Sequence, residues 1–80
     1  MPRYHFNILD DPASPDTEGT MLGGIDEARG AAVALAGQAL CDQPAALLEN
    51  GDWTVEVTDP AGLTLFRLTV IATTSPATRK

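Results

Sequence analysis

The stretch Trp53-Thr54-Val55-Glu56-Val57-Thr58-Asp59-Pro60-Ala61-Gly62-Leu63-Thr64-Leu65-Phe66-Arg67-Leu68-Thr69-Val70-Ile71 decides the fold. Trp53, Val55 and Val57 alternate with Thr54, Glu56 and Thr58, the period of a strand with one buried face. Asp59-Pro60-Ala61-Gly62 then places Asp, Pro and Gly where a type I turn favours them, at its first, second and fourth positions. The reading is a β-hairpin with arms Trp53 to Thr58 and Leu63 to Ile71. If those four residues form the loop, Thr58 pairs with Leu63, Val57 faces Thr64, Val55 faces Phe66 and Trp53 faces Leu68. A one-residue slip sets Val55 against Arg67, so it is disfavoured.

Before the hairpin lies one convincing helix, Ile25 to Asp42. Asp26 and Glu27 fall in its first turn, where the helix dipole favours negative charge. Ile25, Ala28, Ala32, Leu35, Ala36, Ala39 and Leu40 share one face and form its core side. Pro44 disfavours helical geometry at Gln43 and stops the helix there. Pro44 to Glu49 fits a further short turn that Asn50-Gly51 closes. Upstream, Tyr4, Phe6 and Ile8 alternate with His5 and Asn7, so Arg3 to Leu9 reads as a strand. Asp10 to Asp16 holds two prolines and three acids and reads as a loop, and Thr17 to Leu22 as a weaker strand bent at Gly19. The expected fold is α+β in ββαββ order, an antiparallel sheet covered on one face by the helix. Residues 1–72 form the single domain and 73–80 a frayed tail.

A chain of 80 residues carries one domain with a small core, and such domains often rely on disulfides, metals or self-association. Cys41 is the only cysteine and His5 the only histidine, which leaves self-association. The balance of 5 basic against 11 acidic residues, a net charge of -6, runs against binding nucleic acid or an anionic membrane surface. A charged partner is expected to be a basic protein. The apolar run Ala31 to Cys41 is too short to span a bilayer. No signal-peptide core precedes the first strand, and one unpaired cysteine fits a reducing compartment, so the expected location is cytoplasmic.

Met1-Pro2-Arg3-Tyr4-His5-Phe6, Asp16-Thr17-Glu18-Gly19-Thr20-Met21-Leu22, Glu27-Ala28-Arg29 and Trp53 to Asp59 with Gly62 occur in an order that resembles a known family. It comprises short bacterial proteins, common in alphaproteobacteria, that carry a domain-of-unknown-function label. Its pattern is an MPRYxFxI-like strand, a D-x-x-G-x-x-L step before the helix and a W-x-V-x-V-x-D-x-x-G hairpin, and the match runs from Met1 to Leu68. This chain departs at Gly23-Gly24, where the family more often has a proline and an acid. Gly24 is left as N-cap, weaker than Asp by about a few tenths of a kcal/mol. The resemblance implies a cytoplasmic single-domain protein and supplies no catalytic residues.

No catalytic group assembles from the sequence. His5 sits on the strand face away from the helix with only Asn7 near it, and an ordinary surface histidine is the better reading. Asp10, Asp11, Asp16 and Glu18 do not match a calcium loop and read as solvated turn residues. Cys41, at the helix C-terminus with no adjacent Lys or Arg, reads as a half-buried structural cysteine. Glycines 19, 23, 24 and 30 do not make a dinucleotide fingerprint, so neither metal nor cofactor is expected. What stands out is the outer helix face: Gly30, Ala31, Val33, Ala34 and Gly37, where Lys, Glu and Arg are usual. Two interior glycines cost about 1 kcal/mol each relative to alanine, so the face reads as a contact surface rather than as plain solvated helix. The expected protein is thus a non-enzymatic interaction module that self-associates. A second expectation, from a strand–strand–helix opening similar to HicB-type antitoxin domains, is a small regulatory partner of a basic protein.

Overall fold

The central strand is β3, Asp52–Thr58, and the rest of the sheet is assembled on its two sides. A computed structural model describes residues 2–9 and 16–78. β1 is Arg3–Ile8, β2 Thr20–Met21 and β4 Thr64–Ile71; the helices are α1, Ile25–Asp42, and α2, Pro44–Asn50, and a short 3-10 turn spans Pro76–Thr78. The four strands form one antiparallel sheet in the order β2-β1-β3-β4. The fold is α+β, as the hydropathy periods require.

Tyr4, Trp53, Val55 and Val57 bury their side chains on one face of the sheet. Against them lie Ala28, Ala32 and Ala36 of α1, one row at four-residue spacing. Three alanines allow the helix to sit close on β3, and they also make the core thin. Phe6, Ile8, Leu35, Leu40, Phe66 and Leu68 fill in around it, half-exposed. α1 starts and stops where its punctuation places it. Gly24 is the N-cap, the Glu27 carboxylate accepts the Gly23 N–H at 3.2 Å, and Gln43 ends the helix.

Five expectations need correction. The hairpin register is two residues off: Val57 pairs with Phe66, Val55 with Leu68 and Trp53 with Val70. The turn itself forms, with Gly62 N–H donating to the Asp59 carbonyl at 2.9 Å. Its loop, however, has five residues, because Asp59 Oδ1 also accepts the Ala61 and Leu63 N–H groups and Gly62 adopts φ 91. A bulge then adds one residue at Leu65, between the Val57–Phe66 and Thr58–Thr64 pairs. Two single-residue additions restore the alternation, so the inward face is right although the partners are wrong. β2 shrinks from Thr17–Leu22 to two residues, Thr20 and Met21. The segment after Pro44 is a helix, closed by Gly51 at φ 82, rather than a turn. Ile25, assigned to the core side by its helical angle, is 41% exposed. Cys41 is exposed, not half-buried, since it lies nine residues from Ala32 and so about 180° round the helix.

Trp53 is 2% exposed at the centre of the inner face. Trp53→Ala is expected to lower stability by about 3–5 kcal/mol, measured by urea unfolding. A midpoint unchanged from wild type would place Trp53 outside the core.

Candidate functional site

Asp16, at the start of the D-x-x-G step, takes part in four hydrogen bonds through its side chain and backbone. One carboxylate oxygen accepts the Phe6 backbone N–H and the other the Gly19 N–H, both at 3.0 Å. Its own N–H donates to Asn7 Oδ1 at 2.9 Å. The chemistry explains why β2 is so short. Leu22 N–H bonds to the Pro2 carbonyl and Tyr4 pairs with Thr20, so alternate residues of β1 face β2. Phe6 is next in that series, and there a carboxylate replaces the missing strand. The edge of β1 is closed by a side chain.

Gly19 makes the closure possible. Its φ is 74, and a Cβ there would lie 2.9 Å from both Arg3 Cγ and the Tyr4 carbonyl oxygen. Arg3 Nη1 donates to the Glu18 carbonyl at 2.6 Å. His5 Nδ1 lies 2.8 Å from the Asp16 carbonyl oxygen; a carbonyl only accepts, so Nδ1 carries the proton. His5 thus faces away from the helix as expected, but it is tied into this turn. The sequence reading treated Asp16 and Glu18 as solvated; the D-x-x-G spacing, an Asp that accepts a backbone N–H three residues on, was the signal for the turn. Asp10 and Asp11 lie outside the described residues. No cluster of three metal-ligating side chains occurs among the described residues.

Burial raises the Asp16 pKa, but the Phe6 and Gly19 N–H groups and the nearby His5 outweigh it, and the carboxyl is held below its usual range. Between Asp16 and the helix lies an open hollow of about 330 Å³, lined by Phe6, Asp16, Thr20, Ala31 and Leu35. Ala31 is therefore half-buried on its rim rather than on the outer helix face. The other four residues of that face, Gly30, Val33, Ala34 and Gly37, are exposed. Nothing lies within 4 Å of a Cβ built at Gly30 or Gly37. The structure thus leaves this face open, with the exposed Cys41 thiol among its residues.

Arg29 packs over the Phe66 ring with its guanidinium carbon 5.5 Å from the centroid, and Arg67 pairs with Glu56 across the hairpin. With Arg3 on Glu18, all three arginines among the described residues have partners within the chain. The candidate site is accordingly a structural turn with a small hollow beside it.

Two outcomes test the turn. Gly19→Ala is expected to cost about 2 kcal/mol or more, since it combines a positive φ with a backbone clash; calorimetry checks this. Because Asp16 has a lowered folded pKa, its contribution is present at neutral pH. It is lost as pH falls below the ordinary carboxylate value of about 3.9 and through the folded one. Asp16→Asn should flatten that acid limb of the stability–pH curve, and an unchanged limb would remove Asp16 from the account.

Comparison with curated proteins and with solved structures gave no match. A family model described as a domain of unknown function, DUF6894, matches residues 3–72, nearly the whole sheet-and-helix unit. The chain belongs to the DUF6894 family.

Proposed function

We propose that this domain is a non-enzymatic, cytoplasmic protein-interaction module that self-associates. The observation that carries the reading is the distribution of apolar side chains. The buried core holds Tyr4, Trp53, two valines and three alanines, while Leu9, Met21, Ile25, Val33, Leu48, Leu63, Leu65 and Ile71 are each at least 41% exposed. Single exposed apolar residues are ordinary, but here eight Leu, Ile, Val and Met side chains are exposed while three of the seven buried apolar residues are alanines. A domain of this size with so thin a core gains by covering that surface.

A second reading, a small antitoxin-like regulator that binds a basic protein, is favoured by the charge. The net charge is -6, and the described arginines are engaged internally. The acids therefore dominate the long-range field.

Size-exclusion chromatography with light scattering across micromolar concentrations should show a dimer or larger species. A monomer throughout would overturn self-association. Electrophoretic mobility assays with DNA and RNA at physiological salt should show no shift; salt-sensitive micromolar binding would contradict the charge argument.

A further inference from the structure

The two edges of the sheet are treated differently. At the β2 side, the strand is two residues long and the Asp16 carboxylate occupies the next N–H of β1. At the other side β4 runs for eight residues, Thr64–Ile71, with no strand beyond it among the described residues. It contains no proline and no acid, and Arg67 is its one charged residue. Long, unblocked edges are rare in proteins that remain alone, because they present a row of unpaired backbone donors and acceptors.

The direction of those groups follows from the ladder. Ala72 N–H bonds to the Gly51 carbonyl, so by the two-residue period Val70, Leu68 and Phe66 also face β3. On β3's other side, Leu9 N–H bonds to the Thr54 carbonyl, which assigns Trp53, Val55 and Val57 to β4, in agreement. Arg67, Thr69 and Ile71 therefore aim their N–H and C=O groups outward. No backbone hydrogen bond reaches them from elsewhere among the described residues.

Resting on the self-association reading, we infer that a second copy of this chain adds its own β4 antiparallel to this edge, about a two-fold axis at Leu68. This register places Arg67 opposite Thr69 of the other copy, pairing outward-facing groups with outward-facing groups. It sets Phe66 against Val70 on the inner face. On the outer face it sets Leu65, 41% exposed, against Ile71, 72% exposed. A register two residues away centres on Arg67 and opposes it to itself, which like charge disfavours. Charge favours this edge too. Two chains of net charge -6 repel each other, and they meet here along a strand with no acid. The product is a continuous eight-stranded sheet with both α1 helices on one face.

In the Cys41→Ser background, Leu68→Cys tests the register with one substitution. Facing residues at the axis form a non-hydrogen-bonded pair with Cα atoms about 4.5 Å apart, inside the roughly 4.4–6.8 Å that a disulfide spans. Mild oxidation should give a cross-linked dimer on non-reducing gels, and Phe66→Cys or Val70→Cys should give far less. In parallel, Ile71→Lys, at a position already exposed, should weaken dimerisation at least about tenfold, while Ala34→Arg on the outer face of α1 should leave it unchanged. A wild-type dimer that resists Ile71→Lys, or that Ala34→Arg dissociates, overturns the edge pairing and leaves self-association standing. A wild-type monomer overturns both.

Discussion

Everything in this domain depends on the row Ala28, Ala32 and Ala36 lying against Trp53, Val55 and Val57. Small side chains on the helix let its backbone approach the sheet, and the contact holds the 18-residue helix that covers it. The same choice limits what is buried. A leucine row would supply more apolar area per turn, but it would hold the helix further from β3. The domain instead has a close, thin two-layer packing, with Phe66, Leu68 and Leu35 half-covered at its margins. Its exposed leucines, isoleucines and valine follow from that geometry.

The sheet organises its edges around the same central strand. Asp16 and Gly19 spend a charged side chain and a left-handed backbone position on closing the β1 edge. Among the described residues nothing comparable guards β4. This asymmetry links the Asp16 turn to the proposed function. The turn at Asp16 closes one side of the sheet, and pairing at the other side remains available. The hollow beside Asp16 and the smooth outer face of α1 are by-products of the small residues that surround them.

Much of this was legible in the sequence, and the failures have identifiable causes. The bounds of α1 followed from Gly24 and Pro44, because these residues act locally on the backbone. The inward face of the hairpin followed from alternation, yet its register did not: a five-residue loop and a bulge at Leu65 each add one residue, and the period cannot detect a shift of two. β2 was overestimated because a side-chain carboxylate does the work of strand backbone, which no hydropathy pattern reports. Ile25 was placed in the core by its angle alone, and an angle does not say how far along the helix the sheet reaches. Cys41, directly opposite Ala32, was misplaced although the helical angle sufficed to put it outside. Of the residues assigned to the outer face of α1, Gly30, Val33, Ala34 and Gly37 are exposed, and Ala31 is half-buried at its flank. The free edge of β4 was not legible at all, because strand order depends on which non-local pairs form.

The central claim is that this thin core is completed by association. The most direct test is thermal unfolding as a function of protein concentration. For a folded dimer that unfolds to separate chains, mass action raises Tm with concentration. Between about 1 and 100 μM the account predicts a rise of several degrees, consistent with the small unfolding entropy of a domain this size. A Tm that stays constant across that range, with sharp two-state unfolding, would show that one chain is stable alone and would contradict the account.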